Sequence, residues 1–299
     1  MEAIKSVRHR TRRFKLFSIA AVLAFTILAA AIPLAVVFTK RNHQTTPKPT
    51  VLVPLYVYPA PGAWDPLHQV VTANPGLGFT VVLNPANGPG PSQYPGSDYA
   101  AEVQKLNAHS NVRMMGYVPT GYATRNITSV LLDVSTYSGW ATDPTTTGLA
   151  VHGIFFDETP NQYSTEAAEY LETINRAVKN SSGLLSDRMT IHNPGSIPDA
   201  RLADPGPDVT VVFEETYQTY QLAPSSKTLQ DKLASLPYGR SRYCYLMHSV
   251  PKSMGGADLR RLVDGLSKYA GYLFLTDLSD NYYASFGSKW LDFIDAMLV

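Results

Sequence analysis

The sequence predicts an α/β protein, a (β/α)8 TIM barrel preceded by a single N-terminal transmembrane helix. Three observations carry this. About 250 residues remain after a compositionally distinct first 50 of the 299, the usual size of one barrel domain. Eight short apolar runs, rich in β-branched and aromatic residues, recur along that body. They are residues 51–58, 79–83, 112–117, 151–156, 189–192, 209–213, 242–247 and 271–276. Most are near-continuously apolar, as a parallel strand covered on both faces must be.

Between the runs lie segments that can be helical. Residues 97–109 and 165–179 are the clearest, and Ser164 or Thr165 is available to cap the second. Residues 257–270 and 288–298 follow the seventh and eighth runs, while 197–203 holds only a turn or two. Eight strand–helix units of about 30 residues, ending in a helix, match the repeating barrel. An open doubly wound sheet is the rival, but it would carry a Gly-rich phosphate turn after an early strand. The first run is followed instead by Pro59-Ala60-Pro61-Gly62.

The N-terminus divides into a basic cytoplasmic tail (1–15), a transmembrane signal anchor (16–38) and a stalk (39–50) before the barrel body (51–299). Lys5, Arg8, Arg10, Arg12, Arg13 and Lys15 precede Leu16–Phe38, a stretch without a charged residue. Its length suffices to cross a hydrocarbon core of about 30 Å. Basic residues prefer the cytoplasmic side, so the body is expected outside the cytoplasm as a single-pass type II protein. A cleaved signal peptide is the competing reading, with Ala29-Ala30-Ala31 as small residues for a protease, and would release the body.

The first 50 residues hold nine Lys/Arg and one acid, leaving 16 basic and 23 acidic residues in the body. An acidic body excludes nucleic acid as a partner and gives no reason to expect a polyanionic substrate. The lone Cys244 forms no internal disulfide and reads as a small buried hydrophobe. Asn126-Ile127-Thr128 and Asn180-Ser181-Ser182 are glycosylation sequons, making Asn126 and Asn180 candidate glycan acceptors. The histidines are scattered, with no His-x-His or His-Glu-x-x-His pattern, so neither a metal nor a cofactor is expected. Neither a Gly-x-Ser-x-Gly elbow nor a phosphate loop occurs. The catalytic body is expected to be a monomer.

Barrel enzymes place working residues where strands end. Polar residues at those positions are Asn84 after the second run, Tyr117 ending the third, Asp157-Glu158 after the fourth, Asn193 after the fifth, Glu214-Glu215 after the sixth, His248 after the seventh and Asp277 after the eighth. Carboxylates directly after apolar strands are costly unless partnered. Acids from separate strands converging on one cleft are what glycosidic chemistry needs: one protonated beside the leaving oxygen, another anionic. Proximity and partial burial would keep one of them protonated. The bland alternative for each such acid is a loop cap or an ion pair. Tyrosines near strand ends, among them Tyr56, Tyr58, Tyr117, Tyr122, Tyr217 and Tyr220, offer faces for sugar rings or serve barrel packing.

Val53-Pro54-Leu55-Tyr56-Val57-Tyr58-Pro59, Gly153-Ile154-Phe155-Phe156-Asp157-Glu158, Asn193-Pro194-Gly195 and Val211-Val212-Phe213-Glu214 resemble the spherulin-4-like proteins. The likeness spans nearly all of 51–299, and the anchor resembles that of the fungal members, glycoside hydrolase family 135. The resemblance implies a (β/α)8 fold. It implies hydrolysis of galactosaminogalactan, a polysaccharide of galactose and α-1,4-linked N-acetylgalactosamine, and a role in that polymer's biosynthesis or in cell-wall and biofilm remodelling. Catalytic residues then fall at Asp157, Glu158 and Glu214. Tyr58, Asn84, Tyr117, Asn193, Glu215, Tyr217, His248 and Asp277 are expected to bind substrate. In an α-linked N-acetylgalactosamine the acetamido group lies on the leaving-group side, so two enzyme carboxylates are expected to act instead. Which is acid and which is nucleophile or base stays open at the sequence level. The rival readings are an inert glycan-binding barrel and a transglycosylase.

Overall fold

A computed structural model describes residues 47–185, 188–203, 206–222 and 231–298. The basic tail, the anchor and most of the stalk lie outside these residues. Among the described residues no helix is long and apolar enough to cross a membrane.

Eight parallel strands close into a barrel in sequential order. They are β1 (Thr50–Leu55), β2 (Phe79–Leu83), β3 (Val112–Pro119), β4 (Gly153–Asp157), β5 (Met189–Asn193), β6 (Val209–Thr216), β7 (Tyr243–His248) and β8 (Tyr272–Leu275). Thr50 and Val51 pair with Tyr272 and Leu273 to seal the ring. Every apolar run singled out from sequence holds a strand, because burial on both faces selects apolar residues at successive positions. The longest extension is at β6, which continues through Glu214, Glu215 and Thr216.

The helices are α1 (Asp65–Ala73), α2 (Ser97–Asn107), α3 (Ile127–Gly139), α4 (Thr165–Asn180), α5 (Tyr217–Leu222), α6 (Gly256–Ser267) and α7 (Trp290–Met297). Ser164 caps α4, its Oγ accepting from the Ala167 amide at 3.0 Å. Residues 197–203 contain only the 3-10 turn Ala200–Leu202. Asn126 is the N-cap of α3, its Oδ1 accepting from the Thr128 amide at 2.8 Å, while Asn180 is the exposed last residue of α4.

Two layers of apolar contact hold the barrel. Inside the ring Tyr117 stacks on Phe155, centroids 6.4 Å apart. Outside it, Phe156 meets His192 edge-on, and His192 Nε2 bonds Asn175 Oδ1 of α4 at 2.8 Å. Burial pushes that imidazole's pKa down to about 3, so it is neutral and structural rather than a cleft residue.

Parity along β6 is broken once. Val211 pairs with Cys244, but the next pairs are Phe213 with Tyr245 and Glu214 with Leu246, leaving Val212 as an extra residue. Phe213 therefore faces outward, stacked on Tyr245 and edge-on to Tyr220 of α5. The bulge thereby turns Glu214 into the barrel, where unbroken alternation from Val211 would have turned it out.

The β4–β5 seam depends on Gly153. A Cβ there would lie 1.9 Å from the Met189 carbonyl oxygen. Gly153→Ala is expected to cost more than about 3 kcal/mol, seen as loss of soluble protein or a large fall in the urea midpoint.

Candidate active site

The strand ends of β3, β4, β5 and β6 bring Tyr117, Asp157, Asn193 and Glu214 together. Asn193 is the hub. Its Nδ2 donates to Asp157 Oδ1 at 2.8 Å and to Glu214 Oε2 at 2.6 Å. Both bonds leave one nitrogen, so the two facing carboxylate oxygens lie no more than about 5.4 Å apart. The amide's orientation is fixed because Asn193 Oδ1 accepts from the Gly195 amide at 3.0 Å. Gly195 sits at φ +67°, a left-handed turn that glycine adopts without penalty. Its carbonyl accepts from the Glu214 amide at 2.9 Å, so the Asn193-Pro194-Gly195 turn grips β6 as well as its own strand.

Each carboxylate has a tyrosine on its other oxygen. Tyr117 donates to Asp157 Oδ2 at 2.8 Å, and Tyr283 donates to Glu214 Oε1 at 2.6 Å. Tyr56 packs edge-on against both tyrosines, 5.3 Å from each. Asp157 Oδ1 also accepts from the Glu158 amide at 2.9 Å.

Burial, then the charge of Glu214, pushes the Asp157 pKa up to about 6, against the opposing bonds from Tyr117, Glu158 and Asn193. Tyr117 and Tyr283 are held well above the ordinary phenol range, by burial first and then by the carboxylate each faces. Both are thus fixed as donors. Asp157 therefore passes between acid and anion near pH 6, beside a second carboxyl group.

Glu158 is exposed and sits at φ +52°. Its carbonyl accepts from the Tyr122 amide at 2.6 Å and from the Thr120 hydroxyl at 2.7 Å. Gly121, Tyr122 and Ala123 are also left-handed, at φ 56°, 55° and 67°. Such backbone is uncommon outside glycine and clusters at functional sites.

The remaining sequence-derived residues divide. His248 stacks flat on Tyr282 at 4.1 Å, and Tyr282 feels the charges of Glu214, Asp157 and Glu215. His248 and Glu215 therefore border the site. Tyr58 does not join it: its hydroxyl donates to Asp98 at the start of α2, at 2.6 Å. Asn84 Oδ1 accepts from the Gly88 amide at 3.1 Å and shapes its own loop. Tyr217 lies away from the pair, lining a depression between α5 and α6 with Tyr220, Met254 and Arg261. Asp277 is buried as a cap, Oδ2 accepting from Ser288 at 2.7 Å and Oδ1 from the Lys289 amide at 3.0 Å. Burial alone would raise its pKa, but these bonds hold it below the usual range. A carboxylate capping the approach to α7 satisfies the same rule of partnered burial as a catalytic one. Tyr283 and Tyr282 were not among the expected site residues, since they lie beyond the residue that ends β8. Among the described residues, no group of three or more His, Cys, Asp or Glu could hold a metal ion.

Residues 50–297 match the spherulation-specific family 4. The chain is 46% identical to Sph3 of Aspergillus clavatus, solved in complex with GalNAc, with a TM-score of 0.80 over 86% of this chain and 100% of that one. It is 29% identical to spherulin-4 of Physarum polycephalum over 253 residues, 84% of this chain and 69% of the relative.

The raised pKa of Asp157 has a thermodynamic consequence. The folded state binds this proton more tightly than the unfolded chain, whose Asp titrates near 3.9, so stability falls as pH rises from about 4 to about 6. Asp157→Asn removes the charge and keeps the shape of the side chain. It should stabilise the fold at about pH 7.5 by up to about 3 kcal/mol, and the gain should vanish near pH 4. Urea midpoints at both pH values check this.

Proposed function

The chain belongs to the spherulation-specific family 4, and we propose that it is a glycoside hydrolase cleaving an N-acetylgalactosamine-containing polysaccharide. The observation that carries this is the Asp157–Asn193–Glu214 clamp, which holds two carboxylates from separate strands side by side. The neighbour solved with GalNAc supports a sugar of this class, and α-1,4-linked galactosaminogalactan is the substrate proposed.

The chemistry follows from the spacing. Facing oxygens no more than about 5.4 Å apart, with the Asn193 amide already between them, leave no place for a water between the acids. Inverting enzymes hold their carboxyls roughly 6.5–9.5 Å apart, retaining ones about 5–5.5 Å. The reading is therefore double displacement. One carboxylate attacks the anomeric carbon while the other, protonated, gives its proton to the departing glycosidic oxygen. Water then attacks the glycosyl-enzyme ester, and the second group takes up its proton. Asn193 keeps the two acids apart and hydrogen-bonded, and Tyr117 and Tyr283 pin their outer oxygens. Glu158 stands at the rim as a third acid for the leaving side. His248, Tyr282 and Glu215 border the sugar.

In location we propose a type II arrangement, with Leu16–Phe38 as anchor and the barrel outside the cytoplasm. It would act there in synthesis or remodelling of the polymer, with Asn126 and Asn180 as glycan acceptors.

Asp157→Asn and Glu214→Gln should each lower kcat on purified polymer by at least about a thousandfold, with the circular dichroism spectrum unchanged. Reducing-end release measures this, and full activity in both variants rules the assignment out. Wild-type kcat/KM should fall about tenfold per pH unit above about pH 6, as Asp157 loses its proton. Proton NMR of the first-formed product should show the α anomer, the sign of retention.

A further inference from the structure

Among the described residues, the aromatic side chains that stand well out into solvent are Tyr58, Tyr122 and Tyr163, at 59%, 63% and 38% exposure. The other large apolar side chains exposed there are Leu132, Leu185, Leu222, Leu291 and Leu298. All three tyrosines lie on βα loops: Tyr58 after β1, Tyr122 after β3, Tyr163 between β4 and α4. In a parallel barrel these loops share the face that carries Asp157 and Glu214. A scattered exposed apolar residue needs no explanation; three rings confined to one face do.

Two of the rings are also held, and so is the backbone of the third. The Tyr58 hydroxyl is bonded to Asp98 at 2.6 Å, and its ring meets Tyr99 edge-on at 5.7 Å. The Arg201 guanidinium sits 4.1 Å from the Tyr163 centroid, gripped in turn by both oxygens of Asp199 at 3.0 and 2.7 Å. Tyr122 is presented by left-handed backbone and tied through its amide to the Glu158 carbonyl. Packing explains none of this, since an exposed ring gains little from being fixed. Fixing does lower the entropy lost when a ligand lies on the ring. Sugar rings stack on aromatic faces through their C–H surfaces, and the phenol edge bonds their hydroxyls.

We propose that Tyr122 and Tyr163, continuing from Tyr58, form a track that binds sugar units remote from the cleaved bond. The track sorts substrates by chain length. This rests on the hydrolase reading above and adds binding residues that the carboxylate site does not contain.

The test compares the full chain with a Tyr122→Ala/Tyr163→Ala double variant. Substrates are the polymer and the shortest oligosaccharide that the enzyme cuts. KM for the polymer should rise about tenfold or more, with kcat unchanged and with both constants unchanged on the short substrate. Tyr122→Phe and Tyr163→Phe should behave as wild type, since the ring face is kept. An unchanged polymer KM, or an equal loss on long and short substrates, overturns the track. Affinity electrophoresis in the polymer, on a Glu214→Gln background with and without the alanine pair, separates the two readings. If the wild type cuts nothing yet the pair weakens retardation, the track stands and the hydrolase falls. If the wild type cuts and the pair is retarded like its parent, the track falls alone.

Discussion

One side-chain amide stands between two acids, and the site is built around it. Asp157 and Glu214 come from strands that do not pair with each other; β5 lies between them. Bringing two carboxylates close in a poorly solvated place is unfavourable unless donors intervene. The Asn193 amide supplies one hydrogen to each. The turn that follows it locks the amide and the Glu214 backbone together, and the Asn193 carbonyl also accepts from the Thr159 amide at 3.0 Å, reaching the loop after β4. Three consecutive strands are thus registered at their ends by one three-residue turn.

The arrangement costs stability, and the barrel offsets the cost. The Asp157 charge is disfavoured at neutral pH, and left-handed backbone at Glu158 and across Gly121–Ala123 stores strain beside it. Below them the ring is filled by fully buried side chains such as Leu52, Val82, Met115 and Ile191. An aromatic chain, Tyr117 to Tyr56 to Tyr283, links that apolar interior to both acids. Its hydroxyls give each acid a fixed donor while its rings exclude water.

The fold was legible in the sequence because two-sided burial leaves a plain mark. The second strand, Phe79–Leu83, has the bounds its apolar run predicts. Helices without an amphipathic mark were harder. Ile127–Gly139 is largely apolar or hydroxylic with no acid in its first turn. The polar residues ending β4, β5 and β6 were readable because they interrupt otherwise apolar strands. The same rule misplaced Asp277, which caps a loop, and Tyr217, which faces α6. It missed Tyr283, whose position depends on how the loop after β8 folds back. No local pattern announces such a return.

The irregularity at Val212 reaches further than its size suggests. Strand alternation is binary, so one residue of slack decides whether the carboxylate after Phe213 meets the lumen or the helical shell. On the proposed hydrolase reading, a lineage that lost a single codon within β6 would keep the barrel and the aromatic residues of the other strands while losing turnover. Enzyme and lectin would then be separated by one in-frame deletion, a shorter evolutionary step than replacing the acids themselves.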